Sequence, residues 1–98
     1  MNSIMKVGGT SEPKPPCDEV QALLNTIRDK VEERVGRPFT KFELISYKTQ
    51  IVAGMNYFAK IDIGDGIVHA RVYRNLQQNV TLSDVQHPKA VEDAIDYF

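Results

Sequence analysis

The sequence predicts an α+β domain, with one N-terminal α-helix held in the curl of an antiparallel β-sheet. Three observations predict it. Val20, Leu23, Leu24, Ile27, Val31 and Val35 recur at helical spacing and line one stripe. From Phe39 to Leu82 the period drops to two and β-branched and aromatic residues take over. Between the two clearest alternating runs stands Gly64-Asp65-Gly66, a strong hairpin signal. At 98 residues the chain is too short for two self-sufficient cores, so residues 1–98 read as a single domain.

Residues 1–16 hold the pair Gly8-Gly9 and the prolines Pro13, Pro15 and Pro16. Proline fixes φ and biases its predecessor toward extended backbone, so this stretch is expected to be a flexible arm ending in a short strand. A helix follows from Asp18 to Val35. Asp18 and Glu19 suit the positive end of its dipole. Gly36 and Pro38 end it. Its opposite face carries Arg28, Asp29, Glu32, Glu33 and Arg34 and reads as solvated.

Uninterrupted β-like sequence from Thr40 to Ile63 would give a strand of ~75 Å, whereas a domain of this size is only ~25–30 Å across. The chain must reverse, and Gly54 is the only glycine in the stretch. The reversal is therefore expected at Gln50-Ile51-Val52-Ala53-Gly54. Hairpin turns usually carry Gly, Asn, Asp or Ser because they face water. Apolar side chains at such a tip either fold back onto the core or await a partner. In the strands that follow, Met55, Tyr57, Ala59, Ile61 and Ile63 alternate with Asn56, Phe58, Lys60 and Asp62. Val68, Ala70 and Val72 alternate with His69, Arg71 and Tyr73, which places His69 on the surface. A connection at Leu76-Gln77-Gln78-Asn79 precedes a last strand through Val80 and Leu82. The end of the chain reads either as a short helix after Pro88 or as an irregular tail pinned by Tyr97 and Phe98. Turn parity puts the arm, the Gln50–Gly54 turn and the Leu76–Asn79 turn at one end, with Gly64–Gly66 at the other.

Twelve Lys and Arg against thirteen Asp and Glu give a net charge of −1, which argues against broad electrostatic binding to nucleic acid or an anionic membrane. Arg71, Tyr73 and Arg74 are too few to change that. No apolar run approaches the roughly 20 residues that span a bilayer, and no signal-peptide pattern opens the chain. The lone Cys17 cannot form an internal disulfide, so a reducing, cytoplasmic setting is expected. Neither His69 nor His87 sits in a nucleophile or metal motif. Metal-ligand spacings and phosphate-binding glycine loops are missing from the sequence, so neither metal nor cofactor is implied and enzymatic activity has no support.

Gln50-Ile51-Val52-Ala53-Gly54 fits the Gln-x-Val-x-Gly signature of the cystatins, reversible inhibitors of papain-like cysteine proteases. Tyr47-Lys48-Thr49, Asn56-Tyr57-Phe58, Val31-Glu32-Glu33, Gly8-Gly9 and Tyr97-Phe98 resemble the stefin branch, and the resemblance spans nearly the whole chain. It implies a wedge that fills the protease cleft without being cleaved. The residues it would use are Val7, Gly8 and Gly9 from the arm, Gln50, Ile51, Val52, Ala53 and Gly54 from the first hairpin, and Leu76 and Gln77 from the second. Gln50 would hydrogen-bond at the rim. The partners implied are papain and cathepsins L, S, B and H. The inhibitor is expected to be monomeric, with a domain-swapped dimer open to it through the first hairpin. The alternative is a non-inhibitory interaction module on the same scaffold. One departure stands out: stefins usually carry Leu-Pro in the second hairpin, where this sequence has Leu76-Gln77-Gln78 in a shorter connection. A glutamine is less rigid than proline, so inhibition is expected to lean on the arm and the first hairpin.

Overall fold

The apolar stripe folds as two helical segments, α1 (Asp18–Asn25) and α2 (Arg28–Val35), where a single helix was expected. The structure, a computed structural model, describes residues 9–98. The break has a local cause. Thr26 turns its hydroxyl back onto the Leu23 carbonyl at 2.6 Å, and Ile27 N bonds Leu24 O one residue closer than an α-helix requires. Such back-bonding competes with the helical ladder, and Ile27 leaves helical geometry at φ −121° and ψ 16°. The stripe survives the break, with Val20, Leu23, Leu24, Ile27 and Val31 all buried. Gly36 caps α2 in the left-handed region at φ 99°, as its position predicts.

Glu32 departs from the solvated reading of its face. Its carboxylate accepts from Phe39 N at 2.9 Å and Arg28 Nε at 3.1 Å, while Arg28 also donates to the Phe39 carbonyl at 2.7 Å. The Phe39 N–H first, and Arg28 after it, hold this carboxyl below its ordinary range. The pair thus fastens the chain leaving α2. Gln21 does the same for α1, accepting from Leu44 N and donating to Phe42 O.

Four strands follow: β1 (Glu43–Val52), β2 (Gly54–Asp62), β3 (Ile67–Arg74) and β4 (Val80–Lys89), antiparallel and ordered β1-β2-β3-β4. Register aligns Thr49, Tyr57, Val72 and Leu82 in one row and Tyr47, Ala59, Ala70 and Val85 in the next. These rows meet the helical stripe in one hydrophobic core. The expected first strand of the arm is a single bridge, Lys14 opposite Tyr47, with Ser11 N donating to Thr49 O at 2.7 Å.

The other sheet face overturns one reading. His69 alternates with core positions and was expected at the surface, yet it is fully buried, as is Phe58 on the same face. The cause is the chain's end, which is irregular and lies across them. Phe58 packs against Tyr97 at 5.5 Å and Phe98 at 5.7 Å. Lys60 Nζ donates to Val91 O, Arg71 donates to Phe98 O, and Ile95 is buried. Neither ring nitrogen of His69 has a hydrogen-bond partner among the described residues. Burial, and then the charges of Lys89 and Lys60, push its pKa down to about 4, against a smaller upward pull from Asp93 and Asp96. β4 also runs on to Lys89, through a cis His87–Pro88 bond.

Candidate functional site

From Ser46 onward the β1–β2 ladder continues without a gap to the pair Val52–Gly54 and leaves Ala53 alone at the tip. Ile51 is 79% exposed and Val52 41%. These are β-branched residues on a paired backbone, so their side chains are held out in water by regular strand geometry. Gly54 has φ 112°, and a Cβ there would be driven into the Arg74 carbonyl oxygen and lie 3.1 Å from Asn75 Cα. Only glycine lets the first turn seat itself on the start of the second. The Tyr73 hydroxyl completes the junction by donating to the Ala53 carbonyl.

Gln50 stands differently from the rim position expected of it. It is 5% exposed, and its Oε1 accepts from Asn56 Nδ2 at 2.8 Å across the hairpin. Its amide stiffens the hairpin from beneath.

The second turn joins β3 to β4. Asn75 N donates to Asn79 O at 3.0 Å and Gln78 N to Asn75 O at 2.9 Å. Asn75 Oδ1 accepts from both Gln77 N and Asn79 N, each at 2.9 Å. Gln78 takes the left-handed conformation at φ 73°. Leu76 stands 69% exposed and Gln77 is exposed beside it.

The arm runs antiparallel to β1, so the step from Lys14 opposite Tyr47 to Ser11 on Thr49 carries Gly9 toward the Ile51 end. Gly9 is exposed there. Val7 and Gly8 lie outside the described residues. Where the arm docks, the Tyr47 hydroxyl lies 3.6 Å from Cys17 Sγ. That contact first, and burial second, push the hydroxyl up to about 12. Cys17 is exposed at the base of the arm, at the start of α1.

The structure thus gathers Ile51, Val52, Ala53 and Gly54 with Leu76 and Gln77 along one edge, with Gly9 directed toward it. Sequence reasoning missed the residues that fix this edge: Asn56, Tyr73 and Asn75. Asn75 alone carried a legible signal, because an Asn just past a strand favours side-chain-closed turns. Among the described residues no group of His, Cys, Asp and Glu is placed to hold a metal ion, and no helix is long and apolar enough to cross a membrane. What the edge offers is exposed apolar surface on a rigid backbone.

A Cystatin domain matches residues 8–94. Cystatin-A3 of Dictyostelium discoideum is 40% identical over 92 residues, covering 93% of this chain and 98% of its own. Cystatin-B of Homo sapiens is 38% identical over 98 residues, covering 96% of this chain and all of its own. Cystatin-A of Felis catus is 37% identical over 95 residues, covering 93% and 97% respectively. The chain belongs to the cystatin family, in its stefin branch, and is a cysteine protease inhibitor rather than an enzyme.

Proposed function

We propose that this protein inhibits papain-like cysteine proteases, including papain and cathepsins L, S, B and H, as a reversible, tight-binding wedge that is not cleaved. The observation that carries the reading is the pair Ile51 and Val52, apolar and exposed at the tip of a hairpin braced by Gln50–Asn56 and Tyr73–Ala53. Their burial in a cleft returns about 25 cal/mol per Å². Because the tip is already ordered, little of that is lost to ordering on binding. Gly54 lets the backbone approach closely, and Leu76 with Gln77 extends the contact on one side. Val7, Gly8 and Gly9 extend it on the other, along the non-primed subsites, where the glycines bring no side-chain clash. The tip enters with side chains and does not lay a peptide bond across the thiolate, so the inhibitor leaves intact. Gln50 serves this wedge by holding the hairpin. The monomer is the active form, since a swap through the first hairpin would straighten the tip and abolish inhibition. A cytoplasmic setting fits the single exposed thiol.

The test is titration of papain, then cathepsins L and B, with purified monomer while following cleavage of a fluorogenic peptide. Stoichiometric, reversible inhibition with the protein recovered uncut is expected. Val52→Asp places a charge in the dry interface and should weaken inhibition by about a hundredfold or more. Undiminished inhibition by that variant would sink the wedge. Full protease activity at micromolar wild-type protein would instead assign the scaffold to another partner.

A further inference from the structure

The second turn lacks the proline that would stiffen it, yet its backbone is closed by four hydrogen bonds centred on one residue. Asn75 uses its backbone N–H, its carbonyl and its side-chain Oδ1 within the five residues 75–79. A single oxygen serves two N–H groups that would otherwise turn to water. That fixes both limbs of the loop at once, on either side of Leu76. The same residue is where the first turn rests, because the position a Cβ on Gly54 would occupy lies against Arg74 O and Asn75 Cα.

We propose that Asn75 is a positioning residue for inhibition: it substitutes for proline by locking the second turn, so that Leu76 meets the protease already ordered. This rests on the reading of the protein as a wedge inhibitor. The consequence reverses the expectation from Gln77, since the second turn contributes at full strength despite its glutamine. Asn75 itself need not touch the enzyme. Its effect passes through Leu76, whose 69% exposure makes it the turn's main apolar surface. An unlocked loop must be ordered on binding, an entropic cost that appears as weaker affinity.

Inhibition constants against papain for wild type, Asn75→Ala, Asn75→Asp, Leu76→Ala and the Asn75→Ala/Leu76→Ala double variant test this. Asn75→Ala should weaken inhibition about five- to tenfold. Asn75→Asp keeps the acceptor oxygen and should stay within about threefold of wild type. In the Leu76→Ala background, removing Asn75 should change affinity by less than about twofold, because the side chain it positions is gone. Equal inhibition by Asn75→Ala and wild type overturns the proposal. So does the same loss in both backgrounds, or a failure of Asp to rescue. Loss of the folded near-ultraviolet signature in Asn75→Ala also overturns it, since the residue would then hold the fold and not the turn. Absence of inhibition by wild type is a separate result, which removes the wedge reading itself.

Discussion

The hairpin joining β2 to β3 and the hairpin joining β1 to β2 sit at opposite ends of the sheet and are built in opposite ways. In the first, Asp62 accepts from Gly64 N at 2.9 Å, Ile63 N bonds Gly66 O at 3.0 Å, and Asp65 meets Arg37 at 3.0 Å in water. Its polar groups hold the turn and are also its surface. In the second, the holding groups have moved off the tip. Gln50 and Asn56 bond each other underneath, Tyr73 reaches across from β3, and Ile51 and Val52 are left outside. Support and surface are separated at one end and merged at the other. A turn intended only to reverse the chain does not need that separation, whereas a turn that must stay rigid and apolar does.

Changing Gly54 should break the comparison most severely. Gly54→Ala combines a left-handed φ with an overlap on the Arg74 carbonyl, which is backbone and cannot rotate away. A loss of about 2 kcal/mol or more in urea unfolding is expected, together with at least tenfold weaker papain inhibition. Wild-type values for both would show that the two turns are not seated on each other.

Acid tests the sheet between the two ends. His69 stays neutral in the folded protein down to about pH 4, below its ordinary 6.5. Between those values the unfolded chain takes up a proton that the folded one refuses, so stability falls as pH falls. The slope should approach about 1.4 kcal/mol per pH unit between 6.5 and 4. Glu32 and Asp62, both lowered, begin to lose their contributions only as pH falls through the carboxylate range. Urea melts from pH 7 to 4.5 on wild type and His69→Leu check this, the variant being expected to flatten the slope. An equally steep slope in the variant would remove His69 as the cause.

The smallest effect belongs to the polar turn. Gly64 has φ 105°, and a Cβ would meet the Thr40 hydroxyl, the end of a side chain that can swing aside. Gly64→Ala should cost about 1 kcal/mol in the same melts, and the folded variant should inhibit papain as wild type does. Any weakening of inhibition would mean that the far end communicates with the edge.

Local chemistry was legible in the sequence and long-range covering was not. The helical stripe, the Gly36 cap and all three reversals follow from spacing and turn residues that act on their own neighbourhood. The break at Thr26 and Ile27 was marked only by two adjacent β-branched residues, whose propensity is a weak signal. His69 was misread because alternation separates two sheet faces without saying what covers the second one. The distant end of the chain supplies that cover, with Tyr97 and Phe98 on Phe58. On the candidate edge, Ile51 and Val52 were visible as apolar residues where turns should be polar, and Leu76 through the family resemblance alone. Tyr73 and Asn56 were not, since each acts across strands whose register the sequence does not state.

The docking of the chain's end onto Phe58, Ile95 and Arg71 bears on how the protein should be handled. A fluorophore or affinity tag placed after Phe98 would crowd the carbonyl that Arg71 holds, and one at the opposite end would precede the arm proposed to enter the cleft. Gly66 faces open space on the exposed turn farthest from the working edge. It is the attachment point from which the protein could be tethered to a surface with its grip left intact.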